Sequence, residues 1–243
     1  FYDPDNNDFR LNASSPAIDA GDPDLDDDGE DYETDGDDQD PDGTRMDMGA
    51  YTLQLYTIAD ARALDLGVAV TIEGVVTSHN RGTIHTFYSI QDNTAGISFF
   101  LPNTLLNFQL GDALRISGTL YEYNSLLEIL PGDASNISVL SQNNPLPDYQ
   151  LLTMQEYLND GEGYESELIR FSNVVYVWGD WPLEGSSSAI LISDDEGATS
   201  LTMYIDSDTE IDGQAQPFDP FSVSGIGSQY NDTYQILPQD YHD

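Results

Sequence analysis

Alternating carboxylates followed by glycine mark the N-terminal part of this chain as a candidate binder of a hard cation. Asp24-Leu25-Asp26-Asp27-Asp28-Gly29 and Asp38-Gln39-Asp40-Pro41-Asp42-Gly43 both read D-x-D-x-D-G, the second fourteen residues after the first. Carboxylates from alternate Asp residues can converge on Ca²⁺, and the glycine permits the turn that wraps the loop around it. The expected ligands are Asp24, Asp26, Asp28, Asp35, Asp38, Asp40 and Asp42, with Ca²⁺ as the cofactor. The plainer alternative is an acidic, solvated linker.

Other chemistry finds less support. The chain has no Cys, which removes thiolate metal sites, Cys nucleophiles and disulfides. No Gly-x-Ser-x-Gly elbow surrounds any Ser. His79 and His85 flank one strand turn and read as loop residues, and His242 is penultimate. Paired acids occur everywhere and so discriminate nothing. Trp178-Gly179-Asp180-Trp181 offers two aromatic faces as a possible sugar platform, or as plugs for a barrel end. These absences lead to the expectation that the chain is not an enzyme.

The cation-binding loops are not EF-hands. Counted from Asp24, position 12 is Asp35; counted from Asp38, it is Gly49. An EF-hand needs a bidentate Glu there. The loops resemble those of thrombospondin type 3 and dockerin repeats, which implies structural calcium.

Charge sets the next bound. With 45 acids, six Arg and no Lys, the formal net charge is −39, and 18 of the acids lie in residues 1–50. Such a surface repels phosphate backbones and anionic membranes. No nucleic-acid partner and no membrane insertion are therefore expected. The acidity suits a medium with millimolar divalent cations, hence an extracellular or cell-surface location. No apolar run approaches the ~18 residues that span a bilayer. A chain beginning at Phe1 reads as a mature or excised piece of a secreted precursor.

Stepping outward to the elements, residues 1–52 form one expected unit. Ser15-Pro16-Ala17-Ile18-Asp19-Ala20-Gly21 and Asp47-Met48-Gly49-Ala50-Tyr51 bracket the acidic loops. The pair resembles the last coil of secreted right-handed parallel β-helix proteins. Such a coil leaves an open backbone edge. Phe1, Tyr2, Phe9 and Leu11 are the expected anchors of an assembly contact there.

The rest of the chain repeats. Five runs rich in β-branched and aromatic residues end on Ile129-Leu130-Pro131, and five more end on Ile236-Leu237-Pro238. Five strands with a Gly-rich fourth resemble the OB-fold, and tandem modules of secreted bacterial proteins in particular. Thr57 and Thr153 are expected N-caps of a short helix before each copy, with Asp60 and Glu156 at capping-box spacing. The fold class expected is all-β: two five-stranded OB-like barrels at 53–141 and 149–243, behind the acidic segment at 1–52. Ile72, Val75, Ile90, Ile116, Ile169, Val174, Ile192 and Val223 are expected to point inward.

The resulting expectation is a non-catalytic, calcium-stabilised extracellular structural protein. Its partners are other copies of itself, joined head to tail into a filament. The alternative is an accessory module that binds carbohydrate, a polysaccharide for instance, or a surface, cut from a larger secreted polysaccharide-acting protein.

Overall fold

Two five-strand rings account for most of the described chain. The computed structural model describes residues 11, 15–24, 29–36, 38–39, 43–46, 48, 54–218 and 220–241. The first ring is built from β2 (Ala69–Val76), β3 (Thr86–Gln91), β4 (Gly96–Leu101), β5 (Ala113–Tyr123) and β6 (Leu126–Leu130), with β1 (Leu55–Tyr56) and β7 (Ile137–Ser141) as extra edges. Strand β2 pairs antiparallel with both β3 and β5, β3 pairs with β4, and β5 pairs with β6. A parallel contact between β4 and β6 closes the ring. The second ring repeats this scheme with β9 (Leu168–Trp178), β10 (Ser188–Ser193), β11 (Leu201–Ile205), β12 (Phe221–Tyr230) and β13 (Thr233–Leu237), preceded by β8 (Gln150–Leu151). Its closing parallel contact joins β11 and β13. This is the OB-fold arrangement, and the chain is all-β, with two short α-helices among the described residues.

Those helices, α1 (Ile58–Arg62) and α2 (Met154–Asn159), plug the barrels. Thr57 accepts the Asp60 N–H, and Thr153 with Glu156 forms a full capping box. Ile58 and Met154 are fully buried, each in its own core.

Period-two alternation decides which side chains fill each barrel. Val70, Ile72 and Val76 of β2 point inward and are buried with Ile90, Ile97, Phe99, Leu114, Ile116 and Ile129. Val75 was expected inward, but it is only half-buried and Val76 takes its place. Ile72 already faces the core, so every even-numbered neighbour must do the same. In the second barrel Ile169, Phe171, Val174, Ile192 and Val223 are all buried. The step from odd to even parity between Phe171 and Val174 coincides with an irregularity in the β9–β12 register.

The repeated Ile-Leu-Pro has a packing reason. Gly118 of β5 approaches the strand that carries Leu130, and a Cβ there would lie 2.7 Å from the Leu130 carbonyl oxygen. Gly225 of β12 stands in the matching place against Leu237 and Pro238. Only a residue without a side chain lets the fourth and fifth strands come this close.

The barrels dock through polar groups. The Ser98 and Ser166 hydroxyls share a hydrogen bond of 2.9 Å, and the Leu168 N–H donates to Gln91 Oε1 at 3.2 Å. Arg62 crosses from α1 to donate to Glu165 Oε1 at 3.1 Å and to the Glu162 carbonyl at 2.9 Å. The tight β5–β6 and β12–β13 turns, Asn124-Ser125 and Asn231-Asp232, have positive φ throughout and touch each other. There the Asn231 N–H donates to the Asn124 carbonyl at 2.9 Å, and the Ser125 hydroxyl to Asp232 at 2.7 Å.

Within residues 1–52, the described backbone links the two bracketing segments. The Gly21 N–H donates to the Met46 carbonyl at 2.7 Å, and the Met48 N–H to that of Ala17 at 2.8 Å. Leu11 is buried, while Phe1, Tyr2 and Phe9 lie outside the described residues.

Two outcomes follow from this packing. Replacing Gly118 with Ala should destabilise the chain by about 1–3 kcal/mol, because backbone rather than a flexible side chain would have to yield; urea unfolding followed by fluorescence measures it. The second concerns pH. Burial raises the carboxyl of Glu165 from its ordinary 4.5 to about 7, with Arg62 opposing and Glu162 adding to the rise. The folded state then holds a proton that the unfolded state has released, so this group's stabilisation is complete below about pH 4.5 and is lost as pH climbs to about 7. Melting temperature should fall across that window, and less steeply in Glu165→Gln.

Candidate functional site

A cleft of about 520 Å³ opens where the two barrels meet. From the first barrel it is lined by Arg81, Phe87 of β3, Tyr123 at the end of β5, and Leu126 and Glu128 of β6. Since Tyr88, Ile90, Ile97 and Phe99 point into the core, Phe87, Ser89, Ser98 and Phe100 must point out. Register then lays a polar stripe across the face: Ser89 opposite Ser98, Ser98 opposite Glu128, Glu128 opposite Tyr121. Phe87 and Phe100 form the adjacent row, with ring centroids 5.9 Å apart and nearly perpendicular.

Arg81, in the loop between β2 and β3, lies flat on this stripe. The loop is shaped by Asn80, whose amide donates to the carbonyls of Gly82 and His85 and whose oxygen accepts from the Phe87 N–H at 2.8 Å. The guanidinium donates to Ser89 and Ser98, each at 3.2 Å, and sits 4.3 Å above the Phe87 ring. Both contacts are favourable for a cation held between hydroxyls and an aromatic face. Burial lowers the Arg81 pKa to about 10, with Glu128 and Asp206 working against the shift. It remains charged at neutral pH.

Glu128 is only 3% exposed, yet it lines the cleft. Burial raises its carboxyl to about 7, against the pull of Arg81 and with the push of Glu165. A group in this state exchanges its proton near neutrality.

The second barrel contributes Tyr204, Gln235, Ser228, Gln229 and Tyr230, and a rim of Asp206, Asp208, Glu210 and Asp240. Tyr123 from the first barrel and Tyr230 from the second are both more than half exposed. Two bonds strap the open end: the His79 N–H donates to Gln239 Oε1 at 2.6 Å, and the Gln239 amide to the Thr77 carbonyl at 3.0 Å. The arrangement offers flat aromatic faces around a buried acceptor. Such a cleft suits planar, hydrogen-bonding ligands.

The residues named from sequence fall elsewhere. Asp24 accepts from the Gly29 N–H at 3.1 Å, closing the first acidic loop. Asp35 is half-buried and Asp38 buried, while Asp26, Asp28, Asp40 and Asp42 lie outside the described residues. No group of three or more metal-binding side chains occurs among the described residues. Trp181 packs against the second core, whereas Trp178 stands exposed on the outer sheet across from Leu191. His85 accepts from the Asn103 N–H at 2.8 Å, and its ring packs against Phe100; His79 lies 3.6 Å from Asp240. Among the described residues, no helix is long and apolar enough to cross a membrane.

Sequence reasoning missed Arg81, Glu128, Tyr204 and Tyr230. For the first barrel, strict alternation along β3 and β4 could have separated outward Phe87 and Phe100 from inward Tyr88 and Phe99. Nothing local marks Glu128, because its burial is imposed by the other barrel.

No family model matches the chain. Structural neighbours include a domain of replication protein A from Methanococcus maripaludis, 18% identical, covering 37% of this chain and 98% of that one at a TM-score of 0.30. The OB domain of MM0293 from Methanosarcina mazei is 21% identical and covers 40% of this chain and 94% of that one, with a TM-score of 0.33. At these values the likeness concerns strand arrangement alone. A sequence relative is Endonuclease YhcR of Bacillus subtilis (strain 168), 29% identical over 194 residues. The match takes in 76% of this chain but only 15% of that protein. It contradicts two expectations, that the chain is not an enzyme and that nucleic acid is not a partner. The physical error lay in treating −39 as a uniform field. Net charge forbids affinity driven by counter-ion release; it does not forbid bases stacking in a local aromatic cleft.

Proposed function

We propose that this chain is the single-strand-binding part of a larger nuclease, with the inter-barrel cleft as the binding site. The observation that carries the reading is the aromatic cleft on the outer face of a twin OB-fold, in a chain related to part of an endonuclease. Bases stack on Tyr123, Tyr204 and Tyr230, while phosphates stay in solvent, away from Asp206, Asp208 and Glu210. The catalytic chemistry of the relative is not assigned to any residue here.

Stacking without a basic groove has a distinctive signature. Most nucleic-acid complexes weaken as salt is added. Here salt screens repulsion between phosphates and a chain of charge −39, so binding should strengthen or hold steady. Fluorescence anisotropy with a labelled single-stranded 9-mer between 50 and 300 mM salt (about that range) tests this. Tyr123→Ala or Tyr230→Ala should weaken binding by roughly 1–3 kcal/mol for each stacked base lost. A steep fall of affinity with salt would refute the stacking mechanism.

Calcium has a supporting place in this proposal. The tandem D-x-D-x-D-G loops favour Ca²⁺ as a structural counter-ion for residues 1–52. An ion that binds the folded state raises apparent stability by mass action. Chelation should therefore lower the melting temperature, and differential scanning fluorimetry with and without EDTA reads the shift. The acidity and these loops together support a secreted location.

A further inference from the structure

We propose that Glu128 is the specificity-determining residue of this site and selects guanine in a single strand. The inference rests on the nucleic-acid reading above and deepens it. Among the described residues, no donor hydrogen-bonds the Glu128 carboxyl, although its side chain is only 3% exposed. A carboxyl without a protein donor that borders the cleft takes its hydrogen bonds from whatever occupies the cleft, water or ligand. The cleft, about 520 Å³, has room for a base and its neighbours, and Tyr123, Tyr204 and Tyr230 line it together with Glu128.

The chemistry of the acceptor picks out the base. Above the pH of about 7 at which it loses its proton, the Glu128 carboxylate has two oxygens side by side and accepts two parallel N–H bonds. Guanine presents two neighbouring donors on its pairing edge, N1–H and the 2-amino group. Adenine and cytosine set one amino group next to a bare ring nitrogen, which the carboxylate repels. Thymine sets one N–H between two carbonyl oxygens, each of which it also repels. Only guanine satisfies both oxygens without a repulsive neighbour. Arg81 sits on the same stripe, pinned by Ser89, Ser98 and Phe87, and holds the floor in place.

The test compares four labelled oligothymidine 9-mers, each with a central dG, dA, dC or dT, by fluorescence anisotropy on the full chain. The dG strand should bind roughly tenfold tighter than the others, the range expected for one good bidentate pair. Glu128→Gln offers one acceptor and one donor, a pair that no longer matches the two neighbouring donors of guanine, so it should erase the preference for dG. Equal affinities on the unaltered chain would overturn the guanine assignment and leave the stacking site standing. A preference that survives in Glu128→Gln would overturn the role of this residue. Failure to bind any strand would overturn both readings. The four-strand comparison on the unaltered chain decides the matter even if Glu128→Gln does not fold.

Discussion

Polar docking of one barrel on the outer face of the other is the constraint on which the rest depends. Ser98, Gln91 and Arg62 meet Ser166, the Leu168 backbone and Glu165 across the joint. Hydrophobic contacts tolerate sliding, because they are non-directional. Hydrogen bonds do not, since a small displacement strands a buried donor or acceptor. The interface therefore sets one relative placement of the barrels, and the cleft inherits its walls from that placement.

The same docking explains the unusual titration of the site. Glu128, Glu165 and Glu167 are all held well above the ordinary carboxylate range, to about 7, and in each case burial is the leading cause. Glu128 lies on the outer face of the first barrel, in a cleft that the second barrel helps to wall, with the pinned Arg81 guanidinium on the same stripe. A chain rich in solvated acids thus holds a few acids of a different kind, which exchange their protons near neutrality.

Use of the OB face is divided. The Ser98 end of the outer sheet is covered by Ser166, and a Cβ at Gly96 would collide with the Ser166 carbonyl. The end carrying Phe87 and Arg81 stays open to the cleft. Half of the ligand face of the first barrel has become an intramolecular joint, and the remainder is a two-sided slot rather than a flat platform. Tyr123 of the first barrel and Tyr204 and Tyr230 of the second line that slot together.

The sequence by itself determined the local architecture. The five-run repeat announced two barrels, because β-branched and aromatic runs between turn residues have few other uses. Thr57 and Thr153 announced their helices, since a cap is a contact between residues three apart. Ile-Leu-Pro recurred because each copy must let a glycine approach that backbone closely. Val75 was misread for want of a strict period of two along β2. The site was beyond reach from sequence. Arg81 and Glu128 are 47 residues apart, and Tyr204 and Tyr230 lie in the other barrel. Their meeting depends on how two independently folded rings dock. Net charge was legible to the last unit, yet it misdirected the function, because recognition depends on which few groups are shielded from water together. Only the tertiary structure decides that, since desolvation is a property of the packed interface and not of any stretch of chain.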